Sequence, residues 1–232
     1  MQVRRARRGK IRRIHLTTLV VVCSIAGHAG AQDWVEFVQL TDRFAIMFPA
    51  EPEITETTHV SANDVVFPAR VYSVRHGASL YSVTVTDYTD ARRRHRERPD
   101  GTDASSSDQF WVMDVRASVA HAAKGFRYRG GEVTYDGWVD IDKIEGHQLQ
   151  ITNADGSRSF VGIHLNASRL YILESTVPKG AAAPELFRSS MQFLNENGEH
   201  IRYTYDPDGQ RIDVRVRPLG EVPEGVRRLV MD

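Results

Sequence analysis

Between residues 34 and 88 apolar and polar positions alternate with a period of two, which predicts strands. "VEFVQL" and "FAIMF" are separated only by Thr41, Asp42 and Arg43, so a hairpin is expected there. In "FAIMF", Phe44, Ile46 and Phe48 share one face, and Ala45 and Met47 share the other. Both faces are apolar, so this strand is expected to be covered on both sides. Pro49 lacks the N–H that a ladder needs and should end the strand, with "PAEP" leading out to "EITETTHV". "ARVYSV" and "LYSVTVTDY" flank a turn at Gly77. Tyr81, Val83 and Val85 then face one way and Ser82, Thr84 and Thr86 the other, the pattern of a half-buried antiparallel strand.

The period changes after Tyr88. "TDARRRHRERPDGTDASSSD" is polar, holds Pro99 and Gly101, and reads as a long loop. Ser106 and Gln109 have capping-box spacing, with Asp108 in the first turn. The predicted helix runs to Lys124 and stops at Gly125, with an apolar stripe of Val112, Val115, Val119, Ala122 and Phe126. Strands return in "EVTYDGWVDI", "HQLQITN", "RSFVGIHL" and "RLYILESTV", with a hairpin signal at Asp155-Gly156. Pro184 and Glu185 open a second predicted helix carrying Phe187, Met191 and Leu194. "HIRYTYDPDGQRIDVRVR" reads as an outer hairpin over residues 198–217, and residues 218–232 as a loose tail. The expected fold is α+β: an antiparallel sheet with two packed helices over residues 34–197, plus the C-terminal hairpin extension.

"DRFAIMFPAEPEIT", "ARVYSV" with "YSVTVTDY", and "RLYILESTVPKGAAAPELFRSSMQFL" resemble segments of a group of exported bacterial proteins in which a strand ending in Phe-Pro opens the domain. That resemblance covers most of residues 34–200, and its motifs are structural, so they bring no catalytic residue. The layout is also similar to the PsbP-like fold. Proteins of that fold are mostly accessory subunits or binding modules, which implies a non-enzymatic role by analogy of fold alone.

The first 31 residues differ from the rest. Arg4, Arg5, Arg7, Arg8, Lys10, Arg12 and Arg13 precede the short apolar run "LTTLVVVCSIAG" and then Ala29-Gly30-Ala31. This is the order of a cleavable secretory signal, and the run is too short to span a bilayer. Arg12-Arg13 matches a twin-arginine signal poorly, because His15 and Thr17 follow. Cys23 follows Val22, where a lipidation site wants a small residue. Periplasmic or secreted localisation is therefore expected. The full chain has 30 basic and 30 acidic residues, but seven of the basic ones and none of the acidic ones lie in the leader. The remainder carries 23 basic against 30 acidic residues, a net charge of −7. Such a chain is not a general nucleic-acid binder. It also has no cysteine, hence no disulfide, thiol nucleophile or cysteine-bound metal.

Candidate chemistry is sparse. Arg92, Arg93, Arg94, Arg96 and Arg98 form a cluster that suits an anion contact, although a solvated, flexible loop is the simpler account of them. No aromatic is interleaved for base stacking. The histidines are scattered singly and no metal site is expected. His147 and His164 are the nearest approach to a pair. Symmetry about Asp155-Gly156 would set them opposite each other on one face. Strand spacing would likewise put Asp140 and Asp142 on one face, near Glu145. No Gly-x-Ser-x-Gly elbow, phosphate loop or dinucleotide fingerprint occurs, so no cofactor is expected. The expected function is an exported, non-enzymatic envelope protein that binds a partner or small ligand. The alternative is a hydrolase whose site is assembled from distant histidine and carboxylate residues.

Overall fold

The computed structural model describes residues 34–97 and 109–232. The chain forms β1 (Val35–Gln39), β2 (Phe44–Phe48), β3 (Glu53–Val60), β4 (Val66–His76) and β5 (Ser79–Asp87). The helices α1 (Ala91–Arg96) and α2 (Phe110–Tyr128) follow. Next come β6 (Glu132–Ile141), β7 (Ile144–Thr152), β8 (Arg158–Asn166) and β9 (Arg169–Val177). The last elements are α3 (Glu185–Ser189), β10 (Gln192–Phe193), β11 (His200–Tyr205), β12 (Arg211–Arg217) and β13 (Arg227–Met231).

Seven strands form one sheet in the order β3-β4-β5-β9-β8-β7-β6, antiparallel at every junction. A smaller sheet runs β10-β2-β1-β13, and β11 pairs with β12 alone. The large sheet is covered on both faces. On one face, Leu149, Val161, Ile163 and Leu170 pack against Val119, Ala122 and Ala123 of α2. On the other, here called the inner face, Tyr72, Val83, Val85, Tyr171 and Leu173 pack against Phe37, Phe44, Ile46 and Phe48 of the small sheet. All five residues of β2 are buried. No helix among the described residues is long and apolar enough to cross a membrane.

A buried carboxylate ties the two sheets together. Asp42, in the β1–β2 turn, is 3% exposed. Its carboxylate accepts from the Tyr72 hydroxyl at 2.5 Å and from Nη1 of Arg70 at 2.6 Å, both on β4. The Tyr171 hydroxyl of β9 donates to the Asp42 backbone carbonyl at 2.8 Å. Burial and the adjacent carboxylate push the Tyr72 hydroxyl well above its ordinary range, so it remains a donor.

The two-helix α+β layout is not what the chain forms. The described residues are mostly β, with 51% of them in strands and 16% in helix, over thirteen strands in three sheets. Three helices occur among the described residues, and only α2 is longer than two turns. Phe187, Met191 and Leu194 are all buried, but α3 ends at Ser189 and the chain then runs extended through β10. Helical spacing there came from two elements in series. α2 continues through Gly125 and ends before Gly130 and Gly131, whose φ angles of 107° and 85° suit a helix stop better. Ser106 lies outside the described residues. Residues 91–96 of the expected loop form α1, whose buried positions are Ala91 and His95. Two apolar-facing positions are too few to read as a stripe. In the segment read as a loose tail, Arg227–Met231 pairs in parallel with β1.

Replacing Tyr72 by phenylalanine removes one donor to a buried carboxylate. The expected loss is about 1.5–3 kcal/mol of stability, measured as a lower urea midpoint at unchanged slope.

Candidate functional site

The β7–β8 connection sets the register of the site. The Asn153 N–H donates to Ser157 O at 2.8 Å, and the Gly156 N–H donates to Asn153 O at 2.9 Å. With φ of 81° at Gly156, this is a three-residue loop, a tight turn closed by a left-handed glycine. The odd loop shifts the pairing by one residue from symmetry about Asp155-Gly156. Gly146 therefore faces His164, and His147 faces Ile163. The two histidines lie on opposite faces of the sheet, and the expected cross-strand pair does not form.

His164 belongs to the inner face. Along β8 that face presents Arg158, Phe160, Gly162 and His164 in turn. Gly162 sits between Gln148 of β7 and Leu173 of β9. Its missing side chain leaves a hollow. A Cβ placed at 162 would lie 3.8 Å from Nε2 of His164 and 3.9 Å from Cβ of Leu173. A cavity of about 80 Å³ opens there, walled by Val139, Ile141, Phe160, Leu173 and Phe187, with Gln148, His164 and Arg188 as its polar members.

His164 is 1% exposed. Its Nδ1 lies 3.2 Å from the carbonyl oxygen of Ile144. A carbonyl only accepts, so Nδ1 carries the proton and Nε2 keeps its lone pair. Gly146 makes this placement possible, because a Cβ there would stand 2.3 Å from Nδ1 and 2.4 Å from Ile163 O. Burial lowers the imidazole pKa to about 4, against weaker opposite pulls from the Ile144 and Glu145 carbonyls and the Asp140 charge. The ring is neutral at pH 7 and offers a hydrogen-bond acceptor to the cavity.

The cavity rim is basic. The Phe160 ring has the Arg158 guanidinium 5.3 Å and the Arg188 guanidinium 5.1 Å from its centroid. Arg158 is held by donating to Ala181 O at 2.5 Å. Nη1 of Arg188 donates to Oε1 of Glu185 at 2.8 Å, and the Glu185 side chain is 69% exposed.

The other expected residues lie elsewhere. Arg92, Arg93, Arg94 and Arg96 are on α1, and Arg98 falls outside the described residues. Arg93 pairs with Asp90 at 2.6 Å and Glu97 at 2.9 Å, while Arg94 donates to Val66 O at 3.2 Å. His95, inside the cluster, is buried and 2.9 Å from the fully buried Asp114 of α2. His147 faces α2, and its Nε2 meets Arg127 of that helix and the Asp136 carboxylate of β6. The Arg127 guanidinium holds the Asp136 carboxyl well below the usual range. Asp140 and Asp142 do not share a strand face. Asp142 and Lys143 have φ of 51° and 64° and form the tight β6–β7 turn. The Asp142 carboxylate reaches His200 of β11 at 2.5 Å, which ties the C-terminal hairpin to the sheet. Among the described residues no group of three or more metal-ligating side chains converges. The pocket residues Gly162, Phe160 and Arg188, and Gly146 beside His164, were not singled out from sequence. Their signal was present: an isolated glycine inside each of two strand patterns, "IEGHQLQIT" and "RSFVGIHLN".

The low pKa of His164 has a consequence for stability. Its folded value of about 4 lies below the ordinary 6.5, so the unfolded chain takes up the proton first. The group's contribution is complete above about pH 6.5 and is lost as pH falls toward about 4. The loss should be on the order of 3 kcal/mol. Urea unfolding across this range should show the decline, and His164→Gln should flatten it.

No protein-family model matches the chain, and no curated protein matches it. The Phe-Pro motif therefore finds no support from either comparison. Among solved structures the chain is similar to the solution structure of cyanobacterial PsbP (CyanoP) from Synechocystis sp. PCC 6803. The identity is 11% and the TM-score 0.42, over 72% of this chain and 96% of that one. A likeness of that size carries no argument about what the chain does.

Proposed function

We propose that the chain is an exported, non-enzymatic envelope protein that binds a small ligand in the pocket over Gly162. The reading rests on one observation. A buried, neutral imidazole presents its free nitrogen to an apolar cavity made by a missing side chain. Apolar walls with a few placed polar groups are the usual make-up of a small-molecule site. The leader-like first 31 residues support export.

Binding is favoured over catalysis by what lines the cavity. No carboxylate, hydroxyl or thiol is among its lining side chains, so His164 has no nucleophile to activate and no carboxylate to orient it there. A histidine with a pKa of about 4 is a poor general base at neutral pH. The hydrolase reading needed His147 and His164 together, and nothing in the geometry favours it.

The test follows the His164 ring by nitrogen NMR while small neutral alcohols and amides are added. Saturable shifts of that ring are expected. They should weaken in Gly162→Ala, where the added Cβ meets only ordinary contacts near 3.8 Å and takes up part of the hollow. A His164 ring unmoved by every probe would sink the reading.

A further inference from the structure

The rim of the pocket and its floor make different demands on a ligand. The floor offers an acceptor and no donor on His164, since Nδ1–H is already committed to Ile144 O. A ligand end that reaches Nε2 must therefore bring its own O–H or N–H. The walls of Phe160, Leu173 and Phe187 require an apolar segment behind that donor. Size limits the segment. A cavity of about 150 Å³ accepts benzene, so one of about 80 Å³ suits a short aliphatic stretch better than a ring.

The rim selects charge. Arg158 and Arg188 flank Phe160, and Glu185 is the acid paired there. The Arg188–Glu185 pair joins residues three apart, with most of the Glu185 side chain in solvent. Such exposed pairs are weak, so an arriving anion can replace Glu185. Arg188 is the better placed of the two arginines, because its side chain lines the cavity itself and is only 22% exposed. Guanidinium groups recognise carboxylates with two parallel hydrogen bonds.

We propose that the pocket binds short aliphatic hydroxy acids, with the hydroxyl donating to Nε2 of His164, the chain between Phe160 and Leu173, and the carboxylate on Arg188 at the rim. This rests on the pocket reading above and adds the ligand class.

Three probes separate the parts: γ-hydroxybutyrate, butyrate and n-butanol. Each is titrated into the full-length protein while the His164 ring and the Arg188 side-chain N–H are followed by NMR. γ-Hydroxybutyrate should bind about tenfold more tightly than n-butanol, which lacks the anion, and about tenfold more tightly than butyrate, which lacks the donor. In Arg188→Gln the advantage over n-butanol should fall by about tenfold. Glu185→Gln should raise the affinity for γ-hydroxybutyrate, because the competing carboxylate is gone. Equal binding of n-butanol and γ-hydroxybutyrate would overturn the hydroxy-acid class while leaving the pocket as a site for neutral ligands. Equal binding of butyrate would overturn the role of Nε2. If no probe moves the His164 ring, both this class and the pocket itself are rejected.

Discussion

The large sheet must bury two faces, and the elements that cover them are narrower than it is. Seven strands lie side by side, whereas the inner-face partner has four, one of them two residues long. The aromatic core of the small sheet sits over β4, β5 and β9, through Tyr72, Tyr81, Val83, Val85, Tyr171 and Leu173. Toward β6, β7 and β8 the cover is Phe187, Arg188 and Phe193, with Ile201 and Tyr203 of β11. Ile141, Ile144 and Phe160 fill part of the inner face there, and the remainder has too little cover for further large side chains. The chain places Gly146 and Gly162 on that stretch, and a neutral histidine between them. The pocket is thus a consequence of unequal sheet widths, met locally by glycine.

Three carboxylates hold parts of the molecule together. Asp42 joins the β1–β2 turn to β4 through Arg70 and Tyr72. Asp114 of α2 joins His95 of α1 and the backbone N–H of Asn63. Asp142 joins the hairpin through His200. Each is a carboxylate whose acceptor sites are filled by groups from a different element, which is how a buried acid is made tolerable. His164 differs in kind. Its one committed nitrogen bonds a backbone carbonyl of the neighbouring strand, and the other is turned toward the cavity. A buried polar atom without a structural task is where a ligand contact is best sought.

Much of the strand pattern was legible. The hairpins Val35–Phe48 and Val66–Asp87 and the two-faced burial of "FAIMF" follow from alternation and turn residues. Helix count and register were not legible in the same way. Phe187, Met191 and Leu194 have helical spacing, yet two of them are buried by extended chain. Periodicity over eight residues cannot separate those cases. The face of His164 depended on whether the β7–β8 loop holds an even or odd number of residues. Asp155-Gly156 is compatible with both, and a single residue exchanges the two sides of a strand. The site itself was marked by absences of side chain at Gly146 and Gly162, a weaker signal than a cluster of reactive groups.

The charge distribution gives the rim its meaning. Beyond the leader-like segment the chain carries a net −7, so the molecule as a whole does not attract anions. The carboxylate recognition proposed above is therefore a local one. Two guanidinium groups stacked on one phenylalanine ring provide that, since stacking and the Arg158 bond to Ala181 O hold them in place before any ligand arrives. An unfavourable long-range field with a favourable fixed contact selects ligands in which one charge is small beside the apolar surface buried with it. Large polyanions, whose affinity comes mainly from the long-range field, are disfavoured by the same arrangement.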